Sequence, residues 1–210
     1  MQEKNQGFSE LLDKATEFHG HLCAGQIIGV RMAMLGLREL GITDPLGRDR
    51  RKILVLVEVS RCLADAIMTV TGCRVGKRSF KIMDTGKVAA TFINLETSQG
   101  VRIIATSDVQ EKIAAGYPGL DEGAAQKKAY REMADRELFT VQEVAVHLKP
   151  EDTPGAPAQK VSCAICGETV LDRRETYQNG IALCLPCATG NRYYTAQSAM
   201  REPMQEGHFR

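Results

Sequence analysis

The chain has 210 residues, 43% of them apolar and 25% charged, proportions that suit one good-sized core with a small appended module. Its 27 basic and 26 acidic residues leave a net charge of +1, so no broad field draws nucleic acid or an anionic membrane. The longest apolar run, Ile53 to Val57, falls far short of a membrane span, and the polar, acid-bearing start MQEKNQGFSE reads as neither secretory signal nor transit peptide, so a cytoplasmic protein is expected.

Phe8 to Phe18 carries Phe8, Leu11, Leu12 and Ala15 at helical spacing and predicts a short amphipathic helix. A longer helix follows from Leu22 to Leu40, with small residues Ala24, Gly25, Gly29, Ala33 and Gly36 where another element can approach closely. Between the two helices lies Phe18-His19-Gly20-His21-Leu22-Cys23. Two of the four histidines and a thiol share this junction, where helix amide groups are free and a thiol's pKa falls. By type, these are ligands for a first-row transition metal. The competing reading is a backbone-bonded His19 with Cys23 packed as a small apolar residue.

Ile53 to Ser60 predicts a strand and Leu63 to Thr71 a helix, with Glu58, Arg61, Cys62 and Asp65 at the passage between them. Cys62, at a helix start beside Arg61, is a candidate thiolate ligand or nucleophile; its rival reading is a buried inert thiol. The next stretch, Thr71-Gly-Cys-Arg-Val-Gly-Lys-Arg78, resembles a phosphate loop without being one. Three residues instead of four separate its glycines, and Arg78 stands where Ser or Thr is needed. Arg74, Lys77 and Lys87 remain candidate contacts to an anionic ligand, and Cys73 a weaker metal ligand. The basic run Arg48 to Lys52 reads as a solvated connection.

Phe80 to Asp84 is a predicted short strand. Val88 to Leu95 and Val101 to Thr106 predict a hairpin turning near Thr97 to Gly100. Helices are expected over Val109 to Ala115 and Glu122 to Arg136, the second capped by Asp121, and a last strand over Leu138 to Leu148. The order predicts an α+β core with N-terminal helices and a mainly antiparallel sheet over residues 1–149. A Pro- and Gly-bearing linker follows over 150–160, then a tail over 161–210.

In the tail, Cys163-Ala-Ile-Cys166 and Cys184-Leu-Pro-Cys187 are two knuckles of the type that places four thiolates around structural zinc. A redox dithiol pair or unrelated core cysteines are the alternatives. Thr169-Val-Leu171 and Ile181-Ala-Leu183 are predicted to pair around Gln178-Asn179-Gly180, with a short helix after Cys187, an order resembling a treble-clef finger. Residues 160–210 hold six basic against five acidic residues, so a structural or protein-contact role is expected before nucleic-acid binding.

The signature from Phe18 through Cys23, Ala24 and Gly25 to Gly29 and Arg31 resembles the FmdE family, named for molybdenum formylmethanofuran dehydrogenase. So does the block Glu58, Cys62, Asp65, Ala66, Ile67, Gly72, Cys73, Gly76, Lys77, Asp84, Gly86 and Lys87. Ala24 stands where that motif usually has Pro. The resemblance spans residues 8–150, and some members carry a C-terminal zinc finger too. It implies a homodimer and a metal-bearing cleft built from His19, His21, Cys23 and Cys62, with zinc, nickel or iron as the second metal. An accessory protein of one-carbon or molybdenum/tungsten enzyme metabolism is the function expected. Two alternatives stay open: an enzyme using a cleft metal or the Cys62 or Cys23 thiolate, and a zinc-finger regulator.

Overall fold

The computed structural model describes residues 2–156 and 158–197. Two compact units divide the chain, Met1–Gly155 and Ala156–Arg210.

The first unit opens with α1 (Gln2–His19) and α2 (Ala24–Glu39), followed by β1 (Ile53–Val57), α3 (Leu63–Thr71) and β2 (Phe80–Ile82). Next come β3 (Ala89–Asn94), β4 (Gly100–Ala105), α4 (Val109–Gly116), α5 (Glu122–Glu132), α6 (Asp135–Leu138) and β5 (Phe139–Val144). The five strands form one sheet in the order β2-β1-β3-β4-β5. Only β1 and β2 are parallel, with α3 as their crossover, while the other neighbours are antiparallel. The fold is therefore α+β with a mainly antiparallel sheet.

One face of the sheet carries the helices. Ile53, Val55 and Val57 of β1, Ala90 and Phe92 of β3, and Val101 and Ile103 of β4 join Ile27, Val30 and Ile67 in a single core. Small residues bring the layers together. A Cβ on Gly36 would fall 2.5 Å from the Phe92 ring, and one on Gly29 would fall 2.8 Å from the Leu63 carbonyl and the Ala66 Cβ. The small positions read from the sequence thus let α2 lie directly on α3 and β3.

Three boundaries differ from expectation by four residues or more. α1 begins at Gln2 rather than Phe8. α5 stops at Glu132 because Met133 is extended, and Asp135 then accepts from Arg31 Nη2 at 2.5 Å and Arg38 Nη2 at 2.9 Å. The predicted last strand pairs only as far as Val144. Beyond it, Val144, Val146 and Leu148 keep their alternation and are half-buried. The chain then crosses from the β5 edge to the β2 edge, where Arg78 donates to the Glu151 carbonyl and Lys81 Nζ meets Asp152 Oδ1 at 3.3 Å. Because Lys81 alternates with core Phe80, this strap lies on the face away from the helices, where Leu54 and Ile93 are also buried. The first part of the predicted linker is thus packed on the core, with Pro150–Asp152 forming a single 3-10 turn.

The second unit contains β6 (Lys160–Ser162), β7 (Thr169–Leu171), β8 (Thr176–Gln178), β9 (Ile181–Leu183) and α7 (Leu185–Thr189). The predicted pairing of Thr169–Leu171 with Ile181–Leu183 is replaced by two local hairpins, β6 with β7 and β8 with β9. Asn179 (φ 50) and Gly180 (φ 79) supply the left-handed pair that a two-residue turn needs, so Ile181–Leu183 folds back on its immediate neighbour. The helix begins between the second pair of cysteines rather than after it, and Gly190 (φ 71) ends it. Residues 198–210 of the predicted tail lie outside the described residues.

Candidate metal centres

In the second unit the thiols of Cys163, Cys166, Cys184 and Cys187 lie within 4.8 Å of one another. The first pair sits on the β6–β7 turn, where Gly167 (φ 74) bends the chain and its amide donates to the Cys163 carbonyl at 2.9 Å. The second pair sits at the start of α7, with Cys184 at the cap position and Pro186 within the first turn. The small core of this unit consists of Cys163, Leu183 and Cys184, with the remaining thiols packed against it, so the ligands are themselves the core.

Without a cation the cluster holds little negative charge. Backbone amides of Cys166 and Cys184 bring Cys163 down to about 6. Cys166, although the Glu168 amide favours its thiolate, is pushed up to about 12 by burial and by the other thiols. Cys184 is raised as well: burial and neighbouring thiols outweigh the Cys187 amide, which acts to lower it. Four thiols so close become four thiolates only around a multivalent cation. The donor set and its placement fit a zinc finger of the treble-clef order.

In the first unit, His19, Cys23 and Cys62 also place one ligand atom each within 4.8 Å of the others. His19 ends α1, Cys23 is the cap of α2 and Cys62 the cap of α3, so three helix ends converge. Their approach depends on Gly25, where a Cβ would fall 2.8 Å from the Cys62 Cβ. Gln26, fully buried, donates through Nε2 to the Cys62 carbonyl at 2.6 Å and fixes the α2–α3 contact.

The imidazole of His19 shows which atom faces a ligand. Its Nδ1 lies 2.8 Å from Asp65 Oδ2. An ionised carboxylate can only accept, so Nδ1 carries a proton, and in the neutral ring Nε2 then presents a lone pair. That Nε2 is buried and has no hydrogen-bond partner. A carboxylate behind an imidazole whose other nitrogen is free is the supporting arrangement found behind metal-bound histidines. Asp65 was legible only as a member of the Glu58–Asp65 block; its position one turn into α3 was the available signal.

The remaining predicted site residues are distributed differently. His21 is exposed and outside the three-residue group, its ring 4.7 Å from that of His19. Burial, aided by Cys23 alongside, raises the Cys62 thiol above its ordinary value, opposite to the lowering its helix-start position predicts. Cys73 is 1% exposed, its thiol reaching the Ile53 carbonyl at 3.6 Å, and burial raises it too; it is a core residue away from both clusters. Arg74 is used internally, donating to the Met68 and Cys73 carbonyls. Lys77 and Lys87 are exposed on separate segments, Lys77 lining a cavity with Arg50 and Arg51, Lys87 beside Glu58, to whose carbonyl its amide donates at 3.2 Å. Glu58 itself is clamped by Arg102 at 2.5 and 2.9 Å, which holds its carboxyl below the usual range.

Residues 18–147 match the protein-family model FmdE, described as "Molybdenum formylmethanofuran dehydrogenase operon". A relative from Archaeoglobus fulgidus, described as a probable S-adenosyl-L-methionine-binding protein, is 28% identical over 199 residues, covering 86% of this chain. The chain spans about half of that relative, 53% of its length. Among solved structures, a tungsten formylmethanofuran dehydrogenase FmdE-like protein from Syntrophus aciditrophicus is similar at a TM-score of 0.60 and 25% identity, over 89% of this chain and 95% of that one.

Proposed function

The chain belongs to the FmdE family, and from that premise we propose that its first unit binds a transition metal ion at His19, Cys23 and Cys62 and serves one-carbon or molybdenum/tungsten enzyme metabolism. The buried, partnerless Nε2 of His19, backed by Asp65 and grouped with two thiols, is the observation that carries this reading. Zinc is the first candidate, with nickel and iron next, because imidazole and thiolate suit all three. The second unit takes zinc at its four cysteines and acts as a structural finger or a contact to a protein partner.

Three protein donors rather than four favour a second reading, an enzyme in its own right. A divalent ion in such a site supplies Lewis acidity to a small ligand in its remaining position. Asp65 would hold the His19 proton at Nδ1, and Cys62 and Cys23 would supply thiolate charge. The Archaeoglobus relative adds S-adenosyl-L-methionine as a ligand to try, by calorimetric titration of the full chain. A homodimer and weak, salt-sensitive nucleic-acid binding belong to the same proposal and are read by light scattering and oligonucleotide titration.

Elemental analysis of the purified full chain tests the metal reading. About two ions per chain are expected, falling to about one in His19→Ala, in Cys62→Ala and in Cys166→Ser. Cobalt substitution should give a two-thiolate spectrum in Cys166→Ser and a four-thiolate spectrum in Cys62→Ala. A wild-type chain that holds a single ion, lost only in Cys166→Ser, refutes the core site.

A further inference from the structure

At the end of the sheet where β1 begins, Arg50, Arg51 and Lys77 line one cavity of about 450 Å³, with Ser79, Leu95 and the end of the strap at Pro154 and Gly155 among its other walls. Among the described residues, no acidic one lines it. The acids nearby are already committed. Asp49 lies 3.5 Å from Arg48 and 3.4 Å from Lys52, Glu96 lies 2.8 Å from Lys52, and Asp152 lies 3.3 Å from Lys81. Among the described residues, the side chains of Arg50, Arg51 and Lys77 make no ion pair or hydrogen bond, although the chain as a whole is almost electrically balanced.

The walls are constructed rather than loose. Asp44 accepts from the Gly47 amide at 3.0 Å and the Arg48 amide at 2.8 Å, and buried Asp49 accepts from the Asp44 amide at 3.2 Å. These bonds fix the turn that presents Arg50 and Arg51. A 3-10 turn over Val75–Lys77 presents Lys77, closed by the Arg74 amide donating to Ser79 Oγ at 3.0 Å. The strap is fastened beside it by Arg78 and Lys81. Three like charges around one concavity repel each other, and a multiply charged anion relieves that repulsion while the arginine forks bind its oxygens.

We propose that this cavity binds a small molecule through a phosphate or diphosphate group. A monocarboxylate would leave two of the three cations unmatched, whereas a phosphate monoester carries roughly −1.5 to −2 at neutral pH. The volume lies within the usual range of small-molecule sites, about 300–1,000 Å³. The cavity is separate from the proposed metal centre. Cys62 caps one end of α3, while Gly72 at the other end lines the cavity, so the ligand bound here is not the metal's ligand. The two basic stretches that looked unrelated in the sequence, Arg48 to Lys52 and the altered phosphate loop, meet at this one place.

Titration of the full chain with inorganic pyrophosphate by calorimetry, at low and at physiological salt, tests the assignment. Saturable binding is expected, weaker at the higher salt and weakened at least about tenfold in Arg51→Glu and in Lys77→Glu, with metal content unchanged. Arg51→Gln, less prone to disturb folding, should weaken binding several-fold. Adenosine diphosphate should bind at least as tightly as pyrophosphate, since the cavity leaves room for the rest of the molecule. The proposal is overturned if pyrophosphate fails to saturate below about 10 mM, or if citrate binds as tightly. It is also overturned if ADP is excluded, or if Lys87→Glu, outside the cavity, weakens binding as much as Lys77→Glu.

Discussion

The two units gather metal-type ligands by different routes. In the second unit, two short pairs place four donors of one kind, and among the described residues little that is apolar packs with them beyond Leu183, Val170 and Ala188. In the first unit, donors of two kinds come from three helix ends, with 46 positions between His19 and its supporting Asp65. On the proposed metal reading the tail draws its fold from an ion, whereas the core has a sheet and helices of its own and offers an ion a prepared place. A local cluster requires only correct spacing. A dispersed one depends on close packing elsewhere, here at Gly25 and Gly29.

That contrast can be broken most forcefully at Cys166. Structural zinc contributes roughly 10–16 kcal/mol in finger peptides. Cys166→Ser should therefore make the tail protease-sensitive while Met1–Gly155 stays folded, as read by limited proteolysis with mass mapping. A tail that stays protected in excess chelator would show that it folds without its ion.

A smaller effect is expected at Gly25. Gly25→Ala places a Cβ 2.8 Å from that of Cys62, so α2 and α3 must part. Overpacking of this kind costs about 1–3 kcal/mol. The core ion should be lost or weakened, the first unit should melt earlier, and the tail ion should remain. Equal loss of both ions would undo the claim that the two sites are built independently.

Asp65→Asn sharpens the role of the partner behind His19. An amide can present either end to Nδ1, so the imidazole loses its fixed tautomer, and metal affinity should fall about 10- to 100-fold with stability nearly unchanged. Competition with a chromophoric chelator reads this directly. An unchanged affinity would leave the Asp65 contact purely structural.

Acidification gives the most graded change. Thiols bind metal as thiolates, so affinity rises with pH and falls as protons return. From pH 8 down to about 6 the tail weakens through Cys166 and Cys184, both raised, and Cys163 contributes only below about 6. The core weakens over the same range through Cys62, also raised. Each of these thiols should contribute up to about tenfold per pH unit, so the tail should show the steeper slope in chelator competition between pH 6 and 8.

What the sequence disclosed follows the same division. The four tail cysteines were legible because spacing alone carries the geometry. The strand pairing around them was not, since Lys160–Ser162 reads as the end of a linker until β7 supplies its partner. In the core, His19, Cys23 and Cys62 were legible by residue type. His21 was not separable from His19, because a two-residue offset at a helix end does not say which ring turns inward. The expected lowering of Cys62 rested on its helix start and overlooked burial, which dominates there. Arg50 and Arg51 read as a solvated connection because nothing local reveals that Lys77 and the strap complete a cavity around them.

The strap has a consequence for the timing of synthesis. Domains generally fold as units, the N-terminal one first, as the chain is made. Here the sheet is not finished when its last strand appears, because Lys81 and Arg78 on the far edge wait for Glu151 and Asp152. Until those residues leave the ribosome, the side of the sheet bearing Leu54 and Ile93 lacks its strap and is open to chaperones or to neighbouring nascent chains. The passage between the two units is therefore also the last piece of the first, and the core can close before the finger has left the ribosome.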